Sequence, residues 1–404
     1  MGGQYLTIRS SDGGEFQAYL ALPPQGKGPG LVILQEIFGV NRHIRAVADR
    51  YASEGYVVLA PDLFWRMKPG LEFGYSQADI EAALPYYEKF DQRLGLSDIA
   101  DTIAGLRSLL ACSGRVGVLG YCLGGTMAFR AAAACDVDVA ICYYGGGIVN
   151  FLEEAESIKC PILMHFGALD EDIPLESAER IRDALSLKWD AEVYVYPEAG
   201  HGFNCDERAS YDWQSAMIAY GRTLDLMHHA IGPRLDLSGL WDDHCRYEFD
   251  ERDVEATMGT MVAEPYVNHV PTMTGGVGRE ALRKFYAEHF LPKLPPDTRI
   301  KLLSRTVGAN RVVDELLFCC THDREIDFLL PDVAPTGKYV EVPTVAVVTF
   351  RGDKIENEHI YWDQASLLVQ IGLLKPDGLP VAGMETAMKL VDPSLPSNTL
   401  LKGS

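Results

Sequence analysis

Residues 117–129 read GVLGYCLGGTMAF. An apolar run ends at Gly120, Cys122 follows two positions later, and Gly124 and Gly125 open a stretch of small and apolar residues with helical spacing. This is the layout of a buried strand that turns sharply into a helix, with Cys122 at the turn. Three readings of Cys122 compete. A lone cysteine is most often a small core residue. A nucleotide loop would need G-x-G-x-x-G after the first strand, whereas this spacing differs and follows a middle strand. The third reading is a nucleophile elbow, G-x-C-x-G, in which small residues two before and two after the nucleophile relieve crowding at a strained turn. The positive end of the following helix then lies against the sulfur and favours thiolate.

Working outward, the first half alternates apolar runs with amphipathic ones. LVILQ (31–35), YVVLAP (56–61), RVGVLG (115–120), VAICYYG (139–145), PILMHFG (161–167) and AEVYVYP (191–197) are nearly continuous in hydrophobicity, as parallel strands covered on both faces are. Helical stretches such as HIRAVADRYASEG (43–55) and SDIADTIAGLRSLLAC (97–112) separate them. The alternation predicts an α/β domain over 1–232 with a mainly parallel sheet, opened by an antiparallel hairpin turning at Asp12-Gly13-Gly14. After about Pro233 the order changes. DERDVEATMGTMVAE (250–264) and GREALRKFYAEHF (278–290) read as helices, and long β-branched runs follow at 300–309, 311–322, 338–350 and 354–362. Helices first and antiparallel strands after predict a second, α+β domain over 235–375. The tail, 376–404, carries Pro376, Pro380, Pro393 and Pro396 and is expected to run over the surface.

A nucleophile at Cys122 needs a base and a group to orient it, in the order nucleophile, acid, histidine. PILMHFG runs into ALDEDIP and puts Asp170 on the loop after its strand; EVYVYP runs into EAGHGFN and puts His201 on the next. Active groups of such a sheet collect at the carboxyl ends of its strands. Glu171 and Asp172 read as solvated neighbours of Asp170, and Asp170 or Asp172 has the alternative of capping a helix near Pro174. Glu36 follows the first central strand in VILQEIFGVN, where a carboxylate kept from water beside a thiol can share its proton.

QEIFGVN (35–41), GYCLGG (120–125), FGALD (166–170) and AGHGF (199–203) together resemble the dienelactone hydrolases, or carboxymethylenebutenolidases, of the α/β-hydrolase fold, over about residues 5–230. The resemblance implies a catalytic triad of Cys122, Asp170 and His201, with Glu36 holding the resting thiol until substrate displaces it. It implies an oxyanion hole made by the backbone N–H groups of Leu123 and Ile37, and an acyl-enzyme formed from a lactone or ester. It also implies two arginines that grip a substrate carboxylate. One is expected shortly after His201, where Asn204 and Cys205 stand and Arg208 comes late; the other is expected in QADIEAALPYYEKF (77–90), which has none. Arg66 and Arg208 are the candidates left. Poor turnover of a small anionic lactone is therefore expected, with preference for a larger, less charged one.

Residues 235–375 resemble the SnoaL-like branch of the cone-shaped α+β fold shared with ketosteroid isomerases. The likeness rests on helices before a curved antiparallel sheet, on YVNHVPTMTGG (266–276) and on HIYWDQASLLVQIGLL (359–374). Alternation in KIENEHIYWD sets Asn357, His359, Tyr361 and Asp363 on one face. That face is either a pocket lining able to move protons or a structural network with Asp363 capping the last helix, and His269 has the same two readings. Three functions compete: a cysteine-dependent lactone or ester hydrolase, an isomerase or cyclase working in the second domain, and a non-enzymatic small-molecule binder with Cys122 inert. In the first, the second domain is a wall, a lid or the contact of a homo-oligomer.

The formal net charge of −21 sets the chain against nucleic acid and anionic membranes, which would repel it. No apolar run approaches the ~20 residues that span a bilayer. MGGQYLTIRSSDGGEF lacks the basic-then-apolar layout of a secretory signal. Nine cysteines without paired spacing fit a reducing compartment, so a cytoplasmic location is expected. Cys319, Cys320 and His322 lack structural-zinc spacing; neither metal nor cofactor is expected.

Overall fold

The computed structural model of the chain describes residues 3–401; residues 1, 2 and 402–404, at the ends of the expected first domain and tail, lie outside them. The described residues form two compact units that meet between Arg234 and Leu235. Among them, no helix is long and apolar enough to cross a membrane.

The first unit is built on eight strands: β1 (Gln4–Arg9), β2 (Glu15–Ala21), β3 (Gly28–Leu34), β4 (Val57–Pro61), β5 (Cys112–Tyr121), β6 (Val139–Tyr143), β7 (Ile162–Gly167) and β8 (Ala191–Tyr196). They lie in the order β1-β2-β4-β3-β5-β6-β7-β8. The β1–β2 and β2–β4 pairs are antiparallel, and every other pair is parallel. The apolar runs of the sequence are these parallel strands, and β4, β6 and β7 are buried along their whole length. Helices α1 (Arg42–Ser53), α2 (Gln77–Lys89), α3 (Gln92–Ser108), α4 (Leu123–Ala134), α5 (Leu175–Ala184) and α6 (Trp213–Ala230) connect or flank them. Asn41 starts α1 by accepting from the Ile44 N–H, and α1 then buries Ile44, Val47, Ala48 and Tyr51 at helical spacing. Because β3, β5, β7 and β8 run the same way, the residues that follow them emerge along one edge of the sheet. Glu36, Cys122, Asp170 and His201 all do so.

The second unit opens with α7 (Leu237–Cys245), a π-helical turn (Arg246–Glu251) and α8 (Val254–Gly259). Its sheet comprises β9 (Met261–His269), β10 (Thr274–Val277), β11 (Arg299–Val307), β12 (Arg311–Thr321), β13 (Tyr339–Arg351) and β14 (Lys354–Trp362), in the order β10-β9-β14-β13-β12-β11. Only the β14–β9 pair is parallel. Register shifts at Leu302/Ser304, Thr349/Phe350 and Ile355/Asn357 break the regular ladder, as bulges that bend a sheet do. The remaining helices are α9 (Arg279–Phe285), continued by a π-helical turn (Tyr286–Phe290) and a 3-10 turn (Leu291–Lys293), then α10 (Gln364–Gln370) and α11 (Glu385–Val391).

Two expectations change here. The helix expected over 250–264 ends at Gly259, and its last residues belong to β9, whose alternating burial shows it is a strand covered on one face. The stretch after Lys375 stays largely exposed, as expected of a surface tail, but it also forms α11, which buries Ala387 against Leu317 and Cys319 of β12.

Candidate active site

At Cys122 the chain turns from β5 into α4 with φ 52° and ψ −115°. A residue with a side chain holds such a backbone only where its surroundings force it. Gly120 and Gly124 make room for the turn. A Cβ on Gly120 would stand 1.9 Å from the Gly124 carbonyl oxygen, and one on Gly124 would stand 2.2 Å from that of Leu34. The Cys122 N–H donates to the Tyr143 carbonyl and the Gly124 N–H to that of Gln35, each at 3.0 Å, pinning the turn to both neighbouring strands. Leu123 is the first residue of α4, so its N–H has no place in the helix ladder and belongs to the positive end. Ile37 follows Glu36 just beyond the end of the adjacent β3.

His201 joins the set together. Its Nε2 lies 3.3 Å from Cys122 Sγ, and its Nδ1 lies 2.9 Å from Asp170 Oδ2. Asp170 is buried, and its Oδ1 accepts from the Asp172 and Ile173 N–H groups at 2.9 and 3.0 Å. The loop thus fixes the carboxylate, and the carboxylate fixes the imidazole, which meets the Tyr144 ring edge to face. Burial works against a charge on His201, but its interactions with Cys122 and the Asp170 carboxylate outweigh it and push its pKa up to about 11. Asp172 comes only within 3.9 Å of His201 and is 77% exposed, a solvated neighbour. The helix after Asp170, α5, begins without a side-chain cap.

Glu36 is fully buried, and its oxygens take the Tyr75 hydroxyl at 2.8 Å and the Arg208 guanidinium at 3.4 Å. In this structure the bond to the Cys122 sulfur therefore comes from His201. The expectation that Glu36 holds the resting thiol is not met, because a phenol and a guanidinium are stronger donors to a carboxylate than a thiol is. Arg208 also lies over the rings of Phe38 and Tyr75, 5.9 and 5.8 Å from their centroids. Burial opposes its charge, yet Glu36 keeps its pKa above the ordinary arginine value. Cys205, where an arginine is expected, has its thiol pushed up to about 12 by burial and then by Glu36.

Arg66 is engaged elsewhere. Asp98 and Asp12 each hold it at 2.7 Å, and it stacks over Trp65, so its charge is already matched. Tyr75 and Tyr144 are site residues that sequence reasoning missed; neither sits in a motif, and only long-range packing brings them in. Glu36, His43 and Cys205 bring a carboxylate oxygen, a ring nitrogen and a thiol within 4.8 Å of one another, a set able to hold a metal ion. Arg208 supplies positive charge to that carboxylate.

In the second unit a cavity of about 180 Å³ opens on the face of β14 that carries Glu358, Ile360 and Trp362. His359 and Tyr361 alternate with these residues and so fall on the other face, where His359 packs edge to face on Tyr266 and Tyr361 is 44% exposed. Asp363 caps α10 by accepting from the Ala365 and Ser366 N–H groups. The alternation is as expected, but the inward face is the one with a single glutamate among apolar residues. His269 does reach the cavity.

A sequence profile of the dienelactone hydrolase family matches residues 16–231, and one of the SnoaL-like polyketide cyclases matches residues 244–371. Over 223 residues the chain is 36% identical to a carboxymethylenebutenolidase of Pseudomonas sp. (strain P51), a match covering 55% of this chain and 93% of that protein. A carboxymethylenebutenolidase of Pseudomonas putida is 34% identical over 223 residues, covering 55% of this chain and 94% of that protein. Among solved structures, one assigned to the dienelactone hydrolases from Klebsiella pneumoniae subsp. pneumoniae MGH 78578 is 30% identical with a TM-score of 0.50, covering 55% of this chain and 97% of that one. On these matches the chain belongs to the dienelactone hydrolase family, with a SnoaL-like unit joined to its carboxyl side.

Proposed function

We propose that the first unit is a cysteine-dependent hydrolase of a lactone or ester, working through Cys122, His201 and Asp170. The observation that carries this reading is the single imidazole that reaches both the Cys122 sulfur, at 3.3 Å, and a buried carboxylate, at 2.9 Å. A thiolate and an imidazolium so placed form an activated nucleophile and a general acid at once. The sulfur attacks the carbonyl carbon, and the oxyanion that forms is held by the Leu123 and Ile37 N–H groups. One such donor contributes about 2.7–4 kcal/mol to the transition state. When the tetrahedral adduct collapses, the C–O bond breaks and the leaving oxygen takes the Nε2 proton of His201. Water then attacks the thioester with His201 accepting its proton, the C–S bond breaks as that adduct collapses, and the acid leaves with the thiolate and imidazolium restored. Glu36, held by Tyr75 and Arg208, leaves the sulfur free to pair with His201 in this arrangement.

The substrate is a small molecule whose reacting end is neutral. With Arg66 matched by Asp98 and Asp12, and Arg208 matched by Glu36, no free guanidinium stands ready for a substrate carboxylate among the first unit's candidates. The test is hydrolysis of p-nitrophenyl acetate by the full chain and by Cys122→Ala, with mass spectrometry of the Cys122 peptide during turnover. An acyl adduct on that peptide and loss of activity in the variant are expected. Activity that survives Cys122→Ala would move the reaction off the thiol and overturn the proposal.

A further inference from the structure

The second unit holds a cluster of titratable groups that the hydrolase chemistry does not use. His244 Nε2 lies 3.0 Å from Glu248 Oε1 and 3.2 Å from Glu358 Oε1. One donor atom from each of the three residues lies within 4.8 Å of the other two. His244 comes from α7, Glu248 from the π-helical turn one helical turn later, and Glu358 from β14. All three side chains are buried.

Hydrogen bonds set which nitrogen of His244 faces the glutamates, and in what form. Thr260 donates its hydroxyl proton to the Thr257 carbonyl at 2.6 Å, so towards His244 Nδ1, also at 2.6 Å, it accepts. Nδ1 therefore carries a proton whether the ring is charged or neutral. Once Nε2 gives up its own proton, its lone pair points at the two carboxylates. Fixing an imidazole through its other nitrogen is how proteins prepare a histidine to ligate a metal.

The charges of the cluster do not cancel by themselves. Burial opposes a charge on His244, but Glu248 and Glu358 outweigh it and push its pKa up to about 10. Two carboxylates then share one imidazolium, which leaves one negative charge over in a buried place. The Nε2 proton is directed at Glu248, so Glu358 Oε1 makes no hydrogen bond among the described residues, and neither does the buried Tyr286 hydroxyl. Arg305 offers no relief, because Asp314 and Asp242 hold it at 2.7 and 2.8 Å. A divalent cation in place of the Nε2 proton cancels both carboxylates and gives Glu358 Oε1 a partner. The competing remedy is a proton on Glu358, whose pKa burial raises.

We propose that His244, Glu248 and Glu358 form a site for one divalent transition-metal ion such as Zn2+, with Nε2 and one oxygen of each glutamate as ligands. Binding sends the Nε2 proton to solvent and forms three metal–ligand bonds; nothing is oxidised or reduced. Imidazole with carboxylates favours such an ion over Mg2+ and Ca2+, which take oxygen ligands. Glu248 and Glu358 also border the cavity of this unit, which gives the ion a way in. The site does not depend on Cys122.

The test is equilibrium dialysis of the chelator-treated full chain against Zn2+, with bound metal counted by mass spectrometry. Wild type should hold one Zn2+ that Cys122→Ala keeps. Glu358→Gln should bind it about a hundredfold or more weakly, and Thr260→Val, which only frees the ring, about ten- to hundredfold more weakly. No binding by wild type, or equal binding by wild type and either of these two variants, overturns the proposal. X-ray absorption of the wild-type chain carrying one equivalent of Zn2+ needs no variant, and decides alone if Glu358→Gln fails to fold. It should show nitrogen and oxygen at about 2.0–2.2 Å with imidazole scattering and no sulfur at about 2.3 Å. A sulfur shell would put the ion on a cysteine and refute the assignment.

Discussion

Asp170→Asn removes one charge from the candidate site and little else. The Asp172 and Ile173 N–H groups both donate to Oδ1, and an amide oxygen accepts them as a carboxylate oxygen does. The side-chain NH2 must then face His201 Nδ1, which now meets a donor where it met an acceptor. The imidazole responds by keeping its proton on Nε2, facing Cys122. In that tautomer it can neither take the thiol proton nor stay charged beside the thiolate. His201 loses the Asp170 share of the support that raises its pKa to about 11. Hydrogen bonds to charged groups are worth about 1.5–3 kcal/mol each, and losing this one with its charge should cost about 2–4 kcal/mol in the transition state. At about 1.36 kcal/mol per tenfold, kcat/KM for p-nitrophenyl acetate should fall roughly thirty- to thousandfold. A second readout follows the pair itself. Iodoacetamide labelling of Cys122 at one fixed pH, read by peptide mass spectrometry, should be slower in the variant than in the wild type. A kcat/KM within about threefold of wild type, or equal labelling rates, would refute the reasoning.

Three further outcomes follow. Because His201 rather than Glu36 bonds the sulfur, Glu36→Gln should leave Cys122 labelling within about threefold of wild type, and a rise of tenfold or more would show that Glu36 holds the thiol after all. With both candidate arginines already matched, a free-acid dienelactone should be turned over on the order of a hundredfold less well than its neutral methyl ester, two charge-assisted contacts being absent; a preference for the free acid that vanishes in Arg208→Ala would place the missing clamp at that residue. His244 has a folded-state pKa raised from 6.5 to about 10, so its contribution to stability is complete below about pH 6.5 and is lost as the pH rises towards 10. The thermal midpoint of the second unit, followed by calorimetry, should fall over that range, and a midpoint that holds or rises would contradict the buried imidazolium.

What the sequence made legible divides along a physical line. Strand-to-helix turns are local events, so GYCLGG carries in six residues both the crowding that demands Gly120 and Gly124 and the place of the sulfur. Order along a doubly wound sheet is local as well: once β7 and β8 are recognised, the residues after them must share an edge with Cys122. The partners of Glu36 are not local. Tyr75 lies 39 residues away and Arg208 172 residues away, and no spacing rule connects three such positions. Arg66 failed as a candidate for the same reason, because its counter-ions at Asp12 and Asp98 arrive through the fold. In β14 the alternation was readable but the choice of inward face was not. Polarity suggests that charged residues face water, yet here Glu358 faces in because His244 meets it from α7.

That choice bears on how the two units relate in chemistry. In the first, Arg208 answers Glu36 and His201 answers Cys122 and Asp170, so each buried charge is met before a substrate arrives. An anionic substrate would have to break one of these pairs to gain its own, whereas a neutral carbonyl needs only the backbone donors at the turn. In the second, Glu248 and Glu358 share His244, and His269, which lines the same cavity, is held neutral by burial, which lowers its pKa to about 4. In the first unit each of these charges thus has its own partner, whereas in the second two carboxylates share one imidazolium.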